Sequence, residues 1–592
     1  MPPETSNPAD KSRDVDIPRN AYFVVGEIIL HAQYKNNPDP KQLPNPDELT
    51  KWVENLLNQD DNLTNLAYKV LSSSSFTIKN NEFAASIVHI SIESLRQADE
   101  DSHEVLKDKD VKLINIVRQI NLLRNPVIIN NTRITLQGAI PNWCLAASGH
   151  SATDPGPGAY PQPVPTPPHK HRHEFPTNKV DAVIATKITG GNPEGLVSAV
   201  APDSGHSSPY EKRVNVVIFD TAPPREVLDA AYLRNNKLPD SDPAKNDLLH
   251  RIEQREKHGQ FTIKYADQLP TPIILPPNLK QDPEDHNELH GYSHRSLYDM
   301  SDHGLFIAGI ICDHVPADNM NLYLVETQNN YGVGTIASLA HGIEALINGD
   351  IIKDGMDAPL IVNCSLCISF KTPQELRDVN LDVSTEIDFK KLTPAQIAKP
   401  EIAELRSLYD LMSILDTFAS GGVRMIAAAG NDSTSTDPKY TPEHARYPAA
   451  FDIVLGVGAI DNAGNRMFYS NLADVPPKIG LMVFGGQAQK GVDKNITDTT
   501  GDGMLGLYVG SFPDSNTPKG IMPPVTPSTN GWAWWAGTSF STAVMTGMFA
   551  RAASKGRDIR RGAANDFRDQ LEKNRDRSTN QGEPCIKTPQ RP

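Results

Sequence analysis

From residue 214 onward, short apolar runs alternate with helical patterns, and this alternation restricts the folds open to the chain more than any other feature. The runs are Val214–Phe219, Asn321–Val325, Leu360–Asn363 and Val423–Ala429. Helical patterns begin at His303 and cover Ala337–Ile347 and 401–420. Such strands, apolar along their whole length and separated by helices, predict a mainly parallel sheet covered on both faces. The expected class is α/β, with ligands bound at the carboxyl edge of the sheet.

A chain of 592 residues exceeds what one core holds, so at least one further folded unit is expected. Residues 1–20 read as a flexible polar leader. From Tyr22 an apolar run reads as a buried strand. Asn45-Pro-Asp-Glu opens a helix with a capping residue and a proline at its start, and a second helix covers about Asp110 to Asn125. Val127-Ile-Ile-Asn-Asn-Thr-Arg-Ile-Thr-Leu predicts a hairpin turning at Asn130-Asn131. Together these imply a small α+β domain over 21–147. Residues 148–178 are dense in proline, a composition expected neither to pair in a sheet nor to continue a helix, and are read as an extended linker. The linker holds His169, His171 and His173. Without a fixed geometry they are read as solvated side chains rather than metal ligands. The α/β region then spans 179–560, with a charged tail over 561–592.

The net charge of −15 argues against nucleic acid as the main partner, because phosphate binding is driven by Lys and Arg. No apolar run reaches eighteen residues, so no membrane span is expected, and the mixed-charge start does not read as an export signal. Cys144, Cys312, Cys364, Cys367 and Cys585 are too few and scattered for a disulfide framework. A reducing cytoplasm is the expected home.

Acyl transfer by serine requires a nucleophile, a base, a carboxylate that orients the base, and donors for the oxyanion. Four segments carry groups of these kinds. Val214-Asn-Val-Val-Ile-Phe-Asp220 is an apolar strand ending in a carboxylate, although a strand-terminal Asp also serves as a turn or helix cap. Ser-Asp-His303-Gly opens a helix of small and apolar residues, where the histidine could equally cap a core helix. Val423-Arg-Met-Ile-Ala-Ala-Ala-Gly-Asn431 sets an amide directly after a strand and a glycine. Ala536-Gly-Thr-Ser539 joins a tight turn to a helix whose N-terminus can face developing negative charge.

In this order the four segments resemble the subtilisin-like serine proteases (subtilases) over roughly 210–555. The resemblance implies a serine endopeptidase with a subtilisin-like, mainly parallel sheet flanked by helices. Asp220 would orient the imidazole, His303 would act as general base and then acid, Ser539 would be the nucleophile, and Asn431 would donate to the oxyanion. Ile361-Val-Asn-Cys-Ser-Leu-Cys resembles the family's substrate-pairing strand. By resemblance, Ser365, Leu366 and Cys367, with Ala427, Ala428, Ala429 and Gly430, would line the cleft and pair with an extended peptide or protein substrate. No cofactor is required. Structural calcium, as in many relatives, is conceivable at Asp493–Asp498 and Asp502, but no residue is assigned to it.

The chain departs from the family pattern in several places. Leu305 and Phe306 replace the usual Thr-His, Ala543 stands where proline is common, and Cys367 replaces a frequent glycine, so that its side chain intrudes on the cleft. Cys364 and Cys367 share a Cys-x-x-Cys spacing, read as buried hydrophobes with a redox switch as the alternative. Trp532, Trp534 and Trp535 are read as packing beneath the serine turn, an aromatic pocket wall being the alternative. Insertions fall at about 225–300, read as a surface excursion, and at 371–401, read as a lid or a neutral loop. The 21–147 domain has three readings: a removable prodomain that blocks the cleft of a zymogen, a regulatory unit binding a protein partner, or part of a scaffold on a decayed protease fold.

Overall fold

The computed structural model describes residues 23–35, 44–77, 84–95, 103–147 without 124 and 131, 159–163, 213–269 without 241, 243, 244 and 268, 300–352 without 316 and 331, 357–368, 400–418, 422–433, 442–461, 465–473, 480–488, 503–513, 525–560 and 585–586. The second insertion, the His169–His173 run and the candidate calcium positions therefore lie outside the described residues, apart from 400 and 401.

The N-terminal region comprises β1 (Phe23–Lys35), α1 (Pro46–Leu57), β2 (Tyr68–Thr77), β3 (Ala84–Ile92), α2 (His103–Leu122), β4 (Val127–Ile129) and β5 (Thr132–Ala147). Its strands form an antiparallel sheet ordered β5-β1-β3-β2, with β4 also on β5. Helix α1 starts as its sequence requires. Asn45 caps the Glu48 N–H, the Glu48 carboxylate accepts from the Asn45 N–H, and Pro46 fills the first turn. The hairpin turns where two asparagines were expected to turn it, with Asn130 at φ +47°. Consecutive residues Ile28, Ile29 and Leu30 are all buried, which a strand achieves only when its sheet is covered on both faces.

One cover is α1 and α2. The other is the second region, which begins with β6 (Ala159–Pro163) and continues through β7 (Val214–Asp220), α3 (Arg225–Asn236), α4 (Asp247–Lys257), β8 (Phe261–Lys264), α5 (His303–His314), β9 (Met320–Glu326), β10 (Val333–Thr335), α6 (Ile336–Ile347), β11 (Leu360–Cys364), β12 (Leu366–Ile368) and α7 (Pro400–Phe418). It then runs through β13 (Val423–Ala428), β14 (Val454–Ile460), β15 (Leu481–Phe484), β16 (Met504–Leu507), β17 (Ser511–Pro513), β18 (Val525–Pro527), β19 (Trp532–Ala536), α8 (Thr538–Ser554) and β20 (Cys585–Ile586). The central sheet is parallel throughout, ordered β20-β15-β14-β13-β11-β7-β9-β8. Strand order reverses between β7 and β11, and the carboxyl ends of those two strands flank the crevice such a reversal opens. Val214, Val216 and Ile218 join the apolar cluster of α5 and α8, while Val217 and Phe219 join that of α6 and α7. The second cluster extends without a break into the N-terminal sheet. Polar contacts also cross this junction: Ser74 Oγ lies 3.0 Å from His341, the Ser75 N–H donates to Glu344, and His31 stands 3.3 Å from Asp410.

Two expectations are corrected here. The first insertion is not a mere excursion: its described part supplies α3, α4 and the edge strand β8, with Leu228, Tyr232, Leu248, Leu249 and Ile252 buried. The Pro-rich linker does pair. Its residues Ala159–Pro163 form an edge strand on β19. Prolines are tolerated there because alternate backbone nitrogens on an edge strand face away from the sheet, and Pro161 and Pro163 alternate with Gln162.

Candidate active site

Each expected site residue sits at the carboxyl end of a central strand or at the start of a helix above it. Asp220 ends β7, fully buried. Its Oδ1 accepts from the Thr221 N–H and lies 2.7 Å from His303 Nδ1. His303 opens α5. Thr221 ties that helix to β7: its hydroxyl donates to the carbonyls of Met300 and Ser301 and accepts from the Gly304 N–H. The adjacent Asp302 carboxylate accepts from the Val509 and Gly510 N–H groups, fastening the helix start to the loop after β16. The imidazole packs edge-on against Trp535 at 5.3 Å and against Phe540 at 5.5 Å.

Phe540 follows Ser539, the second residue of α8. Every residue of that helix except Arg551 is buried, which the small side chains of Ser541, Thr542, Ala543, Gly547 and Ala550 permit. Leu305 and Phe306 point into the same core, and Phe306 packs on Trp535 and Phe540. The tryptophans thus serve as packing. Trp532 and Trp535 are buried beneath the turn.

Asn431 follows β13 across Gly430, whose φ of +107° excludes a side chain. A Cβ there would also lie 2.6 Å from Asn471 Nδ2. The Asn431 carbonyl accepts from the Thr538 N–H at 3.0 Å, and its Nδ2 is buried with no hydrogen-bond partner. An amide locked by its oxygen and offering a spare N–H beside a helix N-terminus is suited to receiving negative charge. Asn471 shapes this loop. Its Oδ1 accepts from the N–H groups of Asp432 and Ser433, and its Nδ2 donates to Ala429 O and Asp432. No sequence motif announced it or Thr221.

Of the expected substrate-pairing residues, Leu366 and Cys367 do pair, with the end of β5. Leu366 stands opposite Ala147, Cys367 opposite Ala146 and Ile368 opposite Leu145. Ser365, just before them, donates from Oγ to the Ser539 carbonyl at 3.2 Å. The strand-pairing role expected of Ala427–Gly430 is corrected. Both edges of β13 are occupied, by β11 and β14, and the Ala429 N–H is spent on Val457. The second flank is β10, with Val333 opposite Ala146, Gly334 opposite Leu145 and Thr335 opposite Cys144. The end of β5 is thus the middle strand of an antiparallel three-strand ladder.

Cys364 and Cys367 are free and buried, and burial pushes both thiols up to about 12, which favours the inert reading over a redox switch. Among the described residues no group of three or more His, Cys, Asp or Glu side chains is placed to hold a metal ion. Nor is any described helix long and apolar enough to cross a membrane.

Residues 218–583 match the subtilase family, which covers more than half the chain. The chain belongs to that family. It is therefore a subtilisin-like serine peptidase, a hydrolase of protein or peptide substrates. A search of curated proteins found no match. Similar solved structures include a lanthipeptide protease, 15% identical, covering 70% of this chain and 91% of its own, with a TM-score of 0.33. Another is the epidermin leader peptide processing serine protease EpiP from Staphylococcus aureus, 13% identical, covering 95% of this chain and 97% of its own, with a TM-score of 0.39.

Proposed function

We propose that the chain is a serine endopeptidase acting through Asp220, His303 and Ser539, with Asn431 as oxyanion donor, and that its N-terminal domain holds it as a zymogen. The observation that carries the catalytic reading is the buried 2.7 Å His303–Asp220 pair together with the unpartnered Asn431 Nδ2 at the N-terminus of the helix bearing Ser539. In this reading the Asp220 carboxylate accepts from His303 Nδ1–H and leaves Nε2 as the base. Ser539 Oγ attacks the scissile carbonyl carbon while its proton passes to Nε2. The carbonyl π pair moves onto oxygen, where Asn431 Nδ2–H and the Ser539 N–H receive it. Collapse breaks the C–N bond, and the imidazolium returns its proton to the leaving amine. Water then adds to the acyl-enzyme with His303 again as base, releasing the acid and Ser539.

The autoinhibitory reading is supported by the end of β5, which fills the strand-addition site between β10 and β12 and so excludes any other peptide. Strand β6 pairs with β19, the strand leading into the Ser539 turn, so the chain is held on either side of residues 148–158. That interval is where the first cut would fall.

The test compares the full-length chain with its Ser539→Ala variant, using a fluorophosphonate probe and intact masses before and after incubation. Labelling of the wild type alone, with a cut inside 148–158, supports both halves. If the wild type labels and stays intact, the domain is a permanent regulator rather than a removable one. Failure of both proteins to label under denaturant-free conditions, including after limited proteolysis of the linker, would falsify the catalytic reading.

A further inference from the structure

Asn431 can serve an oxyanion only if its Nδ2 stands where the charge develops, and a misplacement of about 1 Å can cost on the order of a hundredfold in rate. Its side-chain oxygen is fixed by the Thr538 N–H. Its backbone has already left β13 across Gly430, so the loop must be held by something other than the ladder of the sheet. Asn471, fully buried, supplies that hold. Its Oδ1 accepts from the Asp432 N–H at 2.9 Å and the Ser433 N–H at 3.1 Å, with the Ser433 hydroxyl at 3.3 Å. Its Nδ2 donates to the Asp432 carboxylate at 2.7 Å and to the Ala429 and His444 carbonyls at 3.2 Å. Its backbone N–H donates to the Gly430 carbonyl at 3.0 Å. One residue thus grips 429, 430, 432 and 433, both chain neighbours of Asn431 among them, while none of these bonds goes to Asn431 itself.

The grip is referred to the central sheet. Ser470 Oγ accepts from the Ala459 N–H of β14 and donates to the Asn471 carbonyl. Strand β14 pairs with β13, which leads into the loop, so the clamp and the loop are set from adjacent strands. We propose that Asn471 is a positioning residue for the oxyanion donor, setting the backbone on both sides of Asn431 so that Nδ2 reaches the developing negative charge. This rests on the reading of Asn431 as that donor. Without the Asn471 amide, the N–H groups of Asp432 and Ser433 lose their acceptor, and an unsatisfied donor in a buried loop is costly. The loop then shifts to find other partners and carries Asn431 with it. An asparagine that only stabilised the loop would matter equally whatever residue stood at 431. A positioning asparagine acts through Asn431 alone.

That difference is measurable. The rate at which a fluorophosphonate labels Ser539 is determined for the full-length chain, Asn431→Ala, Asn471→Ala and the double variant, with thermal midpoints alongside. Asn471→Ala is expected to slow labelling about ten- to hundredfold when Asn431 is present, and by less than about twofold in the Asn431→Ala background. Equal slowing in both backgrounds overturns the proposal, as does labelling of Asn471→Ala at the wild-type rate. After linker cleavage, hydrolysis of fluorescein-labelled casein should lose kcat with KM unchanged, and a loss confined to KM counts against the positioning role. If Asn471→Ala fails to fold, Asn471→Ser, which keeps a shorter acceptor, takes its place in the cycle, with the same dependence on Asn431 expected. Failure of every protein to label overturns the catalytic reading instead. Hydrogen exchange in the Ser539→Ala chain then still decides the grip: Asn471→Ala should unprotect the amides of Asp432 and Ser433 while α8 keeps its protection, and unchanged exchange at those two amides overturns it.

Discussion

Replacing Ala146 with proline should open the cleft without altering any reacting group. Ala146 lies opposite Val333 on one side and Cys367 on the other, so its N–H belongs to a ladder with a strand on each flank. Proline removes that donor. The loss of one ladder bond costs about 0.5–1.5 kcal/mol, and the carbonyl left without a partner in a buried ladder costs about 1–3 kcal/mol more. A net effect of about 2–4 kcal/mol in favour of the released strand corresponds to roughly thirtyfold to several-hundredfold more open cleft, at about 1.4 kcal/mol per tenfold. The rest of the N-terminal sheet, held by β1–β5 and β1–β3 pairing and by the α6–α7 contact, stays in place. The assay is the second-order rate at which a fluorophosphonate labels Ser539 in freshly purified full-length protein, with the thermal midpoint recorded in parallel. The rate should rise by at least an order of magnitude. A folded Ala146→Pro protein labelling no faster than wild type would mean that β5 does not gate Ser539.

Asn431→Ala should lower kcat by roughly 10²–10³ with little change in KM, since one oxyanion donor acts chiefly in the transition state; steady-state kinetics on the processed enzyme check this. Asp220→Asn preserves shape but removes the charge that fixes the imidazole tautomer. A fall in kcat of about 10⁴ is expected, partly recovered at alkaline pH, and a flat pH profile would count against the assignment. Burial raises the folded-state pKa of Cys364 and Cys367 from 9.0 to about 12. Both thiols therefore stay protonated at pH 8, and their stabilising contribution, complete below about 9, is lost as pH climbs toward 12. Iodoacetamide at pH 8 should modify them only in denaturant, as peptide mapping would reveal.

The four groups proposed to react could be picked out because each is written locally: a strand ends in Asp220, a small-residue helix begins at His303, a glycine precedes Asn431, and a tight turn feeds the helix of Ser539. The ladder that β5 forms with β10 and β12 was half legible. Ser365–Cys367 follow directly on a long buried strand, whereas β10 is three residues long, too short to show a period. Its partner lies nearly two hundred residues upstream in another region. Ala427–Gly430 misled because an apolar strand looks the same whether it is an edge or lies between neighbours. Helices α3 and α4 carried an apolar period, Leu228, Ala231 and Tyr232 and then Leu248, Leu249 and Ile252, that the surrounding charge and proline concealed. Helix α2 begins at His103, before the expected Asp110, because its first two turns carry little apolar pattern. Asn471 is invisible in sequence since its side-chain amide is spent on backbone and side chains that only the folded loop assembles.

Strand β5 is one unbroken strand of 16 residues that pairs with β1 along most of its length and with β10 and β12 at its end. On the proposed autoinhibition, the end of β5 meets the cleft, while the chain is continuous, at an effective concentration on the order of millimolar, whatever the protein concentration. A single cut beyond Ala147 abolishes that advantage, because the domain becomes a separate molecule whose occupancy obeys mass action. The nicked protein should then gain specific activity on simple dilution and lose it on concentration, behaviour that the intact chain cannot show.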